Sequence, residues 1–508
     1  MFRRDSVERF NEEFCYGRRP KVELFWRLGV PGKWDRWVDE EWDQPRRAPS
    51  AEAYSFGAAG WVARLSSGMH HLEAADTKSF IDRGTVRVEA IMASLDQLDR
   101  KLLSPSRGGR GVFLSDPVAA VEPESALVPR LREMGYLDFL AKEAESALGR
   151  GPHSVVDKTS CAPSGDMQDY WHPAPYWWPD PNKKDGLPYV RRDGVRVPGT
   201  ILYEPDGEKY DRTRLQRVFD DSMTLVLAGR HTGRMEFIDH AVRIFERFFV
   251  QADTRLNPNL DYAQVRMGHG GNKGSHTGVI EFKDLYYYLD VVGHLELTCP
   301  EISGSVDSFR GWLEEYLQWL KRSLQGLEEK QARNNHGTYY DLQVASIASF
   351  LGDYGTLRET FVRAQSRISQ QFSADGAQPE ELSRTISAHY CFYNLQGWLS
   401  LCRLGRANGF DLWAYESRQG ASVRRAVDWL LRQHGAKWPY RQIEDFDEER
   451  YYPLWHHARM LGWEGQQLGG VDLLAVKPLF HPHDGIMPYW ALLDEAESPV
   501  LASNGGSV

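Results

Sequence analysis

Between Arg333 and Asp341 the chain reads RNNHGTYYD, which places two carboxamides, an imidazole and two phenols within seven residues, Asn334 to Tyr340. Such groups suit removal of a proton from a carbon beside a carboxylate. That step needs neutral donors to offset the acid's charge and a base next to them. A helix N-terminus at this point would favour developing negative charge by up to ~1 kcal/mol. The competing reading is capping, in which an Asn satisfies backbone N–H groups of a helix that begins near Thr338. Capping alone does not call for an adjacent His336 followed by Tyr339 and Tyr340.

Three further segments carry usable chemistry. AQPEELSRTISAHYCFYN, Ala377 to Asn394, alternates Arg384, His389, Tyr390, Tyr393 and Asn394 with apolar residues. Six residues on a helix turn through roughly 600°, so Arg384 and Tyr390 converge only if a helix starts between them or both lean into one cleft. For His389 and Tyr393 ordinary helix packing is the simpler reading. The segment DMQDYWHPAPYWWPDPNKKDGLPYVRRDG, Asp166 to Gly194, gathers Trp171, His172, Tyr176, Trp177 and Trp178 ahead of Arg191 and Arg192. Each ring could simply anchor a proline-rich loop, but together they suggest a saccharide wall beside positive charge. YAQVRMGHGGNKGSHTG, Tyr262 to Gly278, adds Gln264, Arg266, His269 and His276 on a glycine-dense loop suited to close approach of a ligand. No phosphate-loop pattern occurs, and the histidine spacing matches no zinc signature, so neither metal nor cofactor is expected.

These segments need elements to position them. From Asp211 onward apolar residues recur at three and four, as in SFRGWLEEYLQWLKRSLQGLEE, where Phe309, Trp312, Leu313, Tyr316, Leu317, Leu320 and Leu324 trace one stripe. No convincing strand ladder and no sequence repeat interrupts the series. The pattern predicts an all-α chain, an (α/α) toroid or incomplete barrel of antiparallel helix pairs with long irregular loops. The loop from His153 to Pro205 is long enough to be functional. Expected boundaries are an N-terminal extension or helical cap over residues 1–120, the toroid over 121–490 and a C-terminal tail over 491–508.

Among 508 residues, 42% are hydrophobic, 26% charged and 12% aromatic, with a formal net charge of -10. No apolar run reaches the ~18 residues of a membrane span, and no secretory signal is visible, so a cytoplasmic chain without membrane or nucleic-acid partners is expected. Five cysteines, Cys15, Cys161, Cys299, Cys391 and Cys402, form no CxxC pair. An acidic polymer would need a local basic cleft to overcome the overall charge.

NNHG at 334–337, YWWPDP with DGLPYVRRDG, and QPEELSRTISAHY resemble three ordered blocks of the alginate lyase superfamily, α/α-toroid polysaccharide lyases, and are most similar to polysaccharide lyase family 38 and its relatives. The resemblance implies β-elimination on a uronic-acid polymer of alginate or glucuronan type, leaving 4,5-unsaturated ends. It implies Asn335, His336, Arg384 and Tyr390 as the catalytic group. The accompanying expectation for substrate binding is Asn334, Trp171, His172, Tyr176, Trp177, Trp178, Arg191, Arg192, Arg266, His269 and Tyr339, with an acidic polysaccharide as partner. Asn335 and Arg384 would hold the carboxylate. Tyr390, its ionisation eased by Arg384, would act as base and then acid, or would share those roles with His336. Relatives acting on external polymers would be secreted or periplasmic. The competing functions are a glycoside hydrolase using carboxylates drawn from Asp220, Asp221, Glu281, Glu380 and Glu381, and a saccharide-binding protein without turnover.

Overall fold

Helices of two kinds alternate along the chain. In a computed structural model, which describes residues 112–465 apart from Met134, together with Leu468, the helices in chain order are α1 Ser115–Val121, α2 Val128–Glu133, α3 Tyr136–Leu148, α4 Arg212–Thr232, α5 Met235–Phe249, α6 Leu285–Thr298 and α7 Ser303–Arg322. They continue with α8 Leu324–Gln331, α9 Asn335–Leu351, α10 Tyr354–Gln371, α11 Pro379–Leu382, α12 Ser387–Ala407, α13 Val423–Leu431 and α14 Tyr451–Met460. The helices α4, α9 and α12 are buried on nearly every face. By contrast α5, α7 and α13 bury only positions spaced three and four apart, such as Val423, Ala426, Val427 and Leu430. A helix buried all round lies inside and one with a single apolar stripe lies outside. The inner helices α4, α6, α9 and α12 pack side by side in that order, while α5, α10 and α13 each back onto the inner helix preceding them in sequence. This is the α/α toroid that the periodicity predicts.

The boundary expected at residue 120 falls inside α1. His231 of α4 contacts the Val121 carbonyl at 2.7 Å, Asp290 of α6 accepts from the Leu114 N–H at 3.1 Å, and Arg403 of α12 donates to the Val112 carbonyl at 2.9 Å. Residues 112–121 therefore belong to the helical body, tied to three inner helices. The remainder of the expected extension and the expected tail lie outside the described residues.

Local chemistry also divides what periodicity reads as single helices. Ser323 takes an extended ψ of 154° and its hydroxyl accepts from the Gly326 N–H at 3.0 Å, so α7 ends and α8 begins there. Leu324, assigned to the α7 stripe from its spacing, is accordingly 70% exposed. Gly135, at φ 76°, lies between α2 and α3, just before α3 begins.

The loop from Gly149 to Asp211 is irregular but anchored. Buried Lys158 donates to the carbonyls of Val155, Met167 and Asp169 and lies 3.1 Å from Asp211, which also accepts from the Trp171 N–H at 2.8 Å. Within the loop β1, Trp177–Trp178, pairs antiparallel with β2, Val190–Arg191, in the register Trp177 to Arg191 and Trp178 to Val190. Two residues are too few for strand alternation to be legible in sequence. No helix among the described residues is long and apolar enough to cross a membrane.

Candidate active site

One cavity of about 480 Å³ opens where the loop, the start of α9 and the start of α12 meet. Its lining brings together Asn335, His336, Arg384 and Tyr390, the four side chains on which the catalytic expectation rests. Asn334, His172, Tyr176, Trp177, Arg191 and Arg266 line it too.

The helix α9 begins at Asn335, three residues earlier than spacing suggests, because the Asn334 carboxamide accepts from the His336 N–H at 3.3 Å and caps it. Capping and cavity lining are thus compatible at Asn334. The next turn makes Asn335 fully buried, and its N–H donates to Glu381 Oε1 at 2.6 Å. Its Nδ2 donates to both Glu381 oxygens, at 3.0 and 2.9 Å, while its Oδ1 is buried and has no hydrogen-bond partner among the described residues. Gly337 follows because a Cβ there would collide with the Arg367 guanidinium and the Ala332 carbonyl.

His336 is held by a carboxylate that sequence reasoning missed. Its Nδ1 lies 2.7 Å from Glu329 Oε1, and His276 Nδ1 lies 2.8 Å from Glu329 Oε2, so one fully buried carboxylate orients two imidazoles that both line the cavity. Burial pushes the Glu329 carboxyl up, and the two histidines outweigh it, leaving it below the usual range. With Nδ1 facing a carboxylate, each ring presents Nε2 as the free position. Glu329 is seven residues from His336 and His276 is sixty away, spacings that carry no sequence signal.

The second half of the site depends on where α12 starts. It starts at Ser387, between Arg384 and Tyr390, and this lets both reach the cavity. The Arg384 guanidinium lies over the Tyr390 ring at 3.6 Å and donates to Asp193 through Nε at 3.1 Å and Nη2 at 2.7 Å. Arg384 does ease Tyr390 ionisation, as expected, but it is outweighed. Burial and the neighbouring Tyr176 push the phenol well above its ordinary value, and the pull of Arg384 is smaller. Tyr390 is therefore a neutral phenol, donating to the Tyr176 hydroxyl at 2.9 Å. Asp193, tied to Arg384 and Arg191, is held far below the usual carboxylate range: burial opposes this, and the Arg384 hydrogen bond is its largest cause.

Several expected binding residues stand outside the lining. Trp171 packs edge-on to Tyr210 with its Nε1 on Ser160 at 3.0 Å. Trp178 donates to the Val195 carbonyl at 2.9 Å and carries Arg192 over its ring at 5.0 Å, because β1 turns alternate side chains to opposite faces and Trp177 takes the cavity side. His269 sits behind Trp177, 4.9 Å from its ring centre, with Nε2 on the Tyr189 carbonyl at 2.8 Å. Tyr339 is buried, its hydroxyl donating to the Tyr393 carbonyl at 2.9 Å. Conversely, His389 and Tyr393 line the cavity as a stacked pair, where packing alone was the simpler reading.

The electrostatics are those an acidic ligand needs. Arg191, Arg196, Arg212, Arg266, Lys283 and Arg384 line the cavity, with Glu281 the one carboxylate among the lining residues. Glu281 is bound by His172 Nδ1 at 2.7 Å and the Tyr170 hydroxyl at 2.5 Å. Asp220 is bound by Tyr287, and Asp221 by Arg150. The lining therefore offers no second carboxylate to face Glu281, as paired-acid hydrolysis requires. Arg266 rests over Trp177 at 4.9 Å with its Nε buried and without a hydrogen-bond partner among the described residues. Gln264, also in the lining, holds φ 50°, a strained conformation of the kind that clusters at functional sites.

A family model described as Alginate lyase matches residues 154–438, more than half of the chain. No curated protein matches. Among solved structures, an alginate lyase from Bacteroides ovatus is similar at 28% identity and a TM-score of 0.62, over 76% of this chain and 96% of that one. The alginate lyase A1-III from Sphingomonas species A1 is similar at 14% identity and a TM-score of 0.40, over 70% of this chain and 91% of that one.

Proposed function

The chain belongs to the alginate lyase family and is a polysaccharide lyase, and on that premise we propose that it cleaves alginate by β-elimination in the cavity around His336. The observation that supports this most directly is the Glu329–His336 pair beside Asn335 and Tyr390 in one basic, aromatic-lined cavity. The C5 proton of a uronate is only weakly acidic, and fixed donors at the neighbouring carboxylate make its removal feasible. Asn335, next to the base in sequence at the N-terminus of α9, is the carboxamide assigned to that carboxylate.

His336 Nε2 takes the C5 proton, with Glu329 stabilising the imidazolium. The electron pair of the broken C5–H bond forms the C4–C5 double bond, and the C4–O4 bond breaks. Tyr390, a neutral phenol in the resting site, donates its proton to the departing O4. Solvent then returns a proton to the tyrosinate and removes one from the imidazolium, restoring both groups. The products are one fragment with a new reducing-end hydroxyl, carrying O4, and one with a 4,5-unsaturated uronate at its non-reducing end. Arg266 and Arg191 are placed to hold carboxylates of neighbouring sugars, and Trp177 and Tyr176 to stack on their rings.

The test is incubation with polymannuronate, polyguluronate and glucuronan while ultraviolet absorbance of the unsaturated uronate is followed. Growth of that absorbance on a mannuronate or guluronate polymer is the expected result. Saturated reducing ends without absorbance would overturn the reading.

A further inference from the structure

The Asn335 carboxamide faces a conflict between the cavity and its partner. Its donor, Nδ2, is turned onto both oxygens of Glu381, and its acceptor, Oδ1, is buried without a hydrogen bond among the described residues. An amide in that orientation repels a substrate carboxylate instead of binding it. An ionised Glu381 can only accept hydrogen bonds, so it holds the amide this way round. A protonated Glu381 can donate to Oδ1, and a half-turn about the Cβ–Cγ bond then presents Nδ2 to the substrate, while the Asn335 N–H keeps its bond to Glu381.

We propose that Glu381 is a positioning residue for the elimination: by taking a proton from solution as substrate binds, it turns the Asn335 carboxamide so that its N–H faces the uronate carboxylate. This rests on the assignment of Asn335 to that carboxylate in the lyase reading. The surroundings of Glu381 suit such a role. It is 1% exposed, on α11, and faces Asn335 from α9, Cys391 from α12, Arg384 from the segment after α11, and its neighbour Glu380. Burial pushes its carboxyl up to about 7, against the pull of the Asn335 bonds and Arg384, with Glu380 adding to the rise. The proton is therefore available near neutrality, and no co-reactant other than water is needed.

The discriminating variant is Glu381→Gln, whose Nε2 can donate to Asn335 Oδ1 at every pH while its Oε1 still accepts from the Asn335 N–H. On polymannuronate, wild-type KM should rise up to about tenfold per pH unit above about pH 7, with kcat little changed, as a one-proton linkage requires. Glu381→Gln should keep a low KM across that range, and Glu381→Ala should have a raised KM throughout. A Glu381→Gln variant whose KM follows the wild-type pH curve, or that is as impaired as Glu381→Ala, would overturn the assignment.

Calorimetry of mannuronate trisaccharide binding to Tyr390→Phe, in buffers of different ionisation enthalpy, reads the proton directly and does not depend on how the Glu381 variants fold. Net uptake near pH 7.5 is expected, and its absence counts against the role. Turnover with a pH-independent KM removes Glu381 alone, whereas no unsaturated product from any polyuronate removes the lyase reading itself.

Discussion

Tyr390 carries the largest expected single-residue effect. Its phenol donates to the Tyr176 hydroxyl, and its ring is overlaid by the Arg384 guanidinium. Tyr390→Phe should lower kcat on polymannuronate by about 10²–10⁴-fold, the usual cost of losing a proton-transfer group. A steady-state assay in which kcat is unchanged would remove it from the proton path. Glu329 should matter too, to a smaller extent, without touching substrate. Glu329→Gln keeps the shape but no longer accepts from two imidazoles as a carboxylate, so kcat should fall by about 10-fold or more while KM moves little. These residues divide cleanly by legibility. His336 and Tyr390 stand in segments whose composition already suggests acid–base work. Glu329 reads as an ordinary glutamate and Glu381 only as one of five carboxylates open to a hydrolase, since nothing in a Glu records which side chain it will meet once folded.

Element starts, more than element identities, position this site. Asn334 caps α9 one residue before Asn335, and α12 starts between Arg384 and Tyr390. A helix beginning at Thr338, as spacing suggests, would not hold Asn335 and His336 in its first turn. Gly337 makes that first turn possible by letting Arg367 and the Ala332 carbonyl approach the backbone. Arg367 is itself in a buried pair with Asp341, at 2.8 Å. Gly337→Ala should therefore destabilise the protein by about 1–3 kcal/mol through overpacking, read as a lowered midpoint in denaturant unfolding with an unchanged slope. A midpoint equal to that of the wild type would show that the turn relaxes freely. The split between α7 and α8 at Ser323 belongs to the same scale, because a single cap decided what a continuous apolar stripe did not record.

Across the whole molecule, charge is segregated. The net charge is -10, yet six Arg and Lys side chains and a single carboxylate line the cavity. Local potential in a concave, partly desolvated site outweighs distant surface charge, which salt screens within about 8–10 Å. KM for polymannuronate should accordingly rise as sodium chloride is increased, with kcat changing less. Arg266→Ala should raise KM about tenfold and flatten that salt dependence, as expected for loss of a charge-assisted contact worth about 1.5 kcal/mol. A salt-insensitive KM in the wild type would count against carboxylate binding by the cavity arginines.

The sequence by itself determined the alternation of apolar positions that yields inner and outer helices, and the residue types in NNHG and RTISAHY that suit elimination. Both are local properties: periodicity fixes which faces must be buried, and functional-group chemistry travels with the residue. Only the tertiary structure decided that Trp177 and not Trp178 faces the cavity, that Arg384 is occupied by Asp193, and that His276 joins His336 on Glu329. Each of these depends on segments far apart in sequence meeting at hydrogen-bond distance. Such a meeting is set by how the loop and the inner helices pack, and no single segment encodes it.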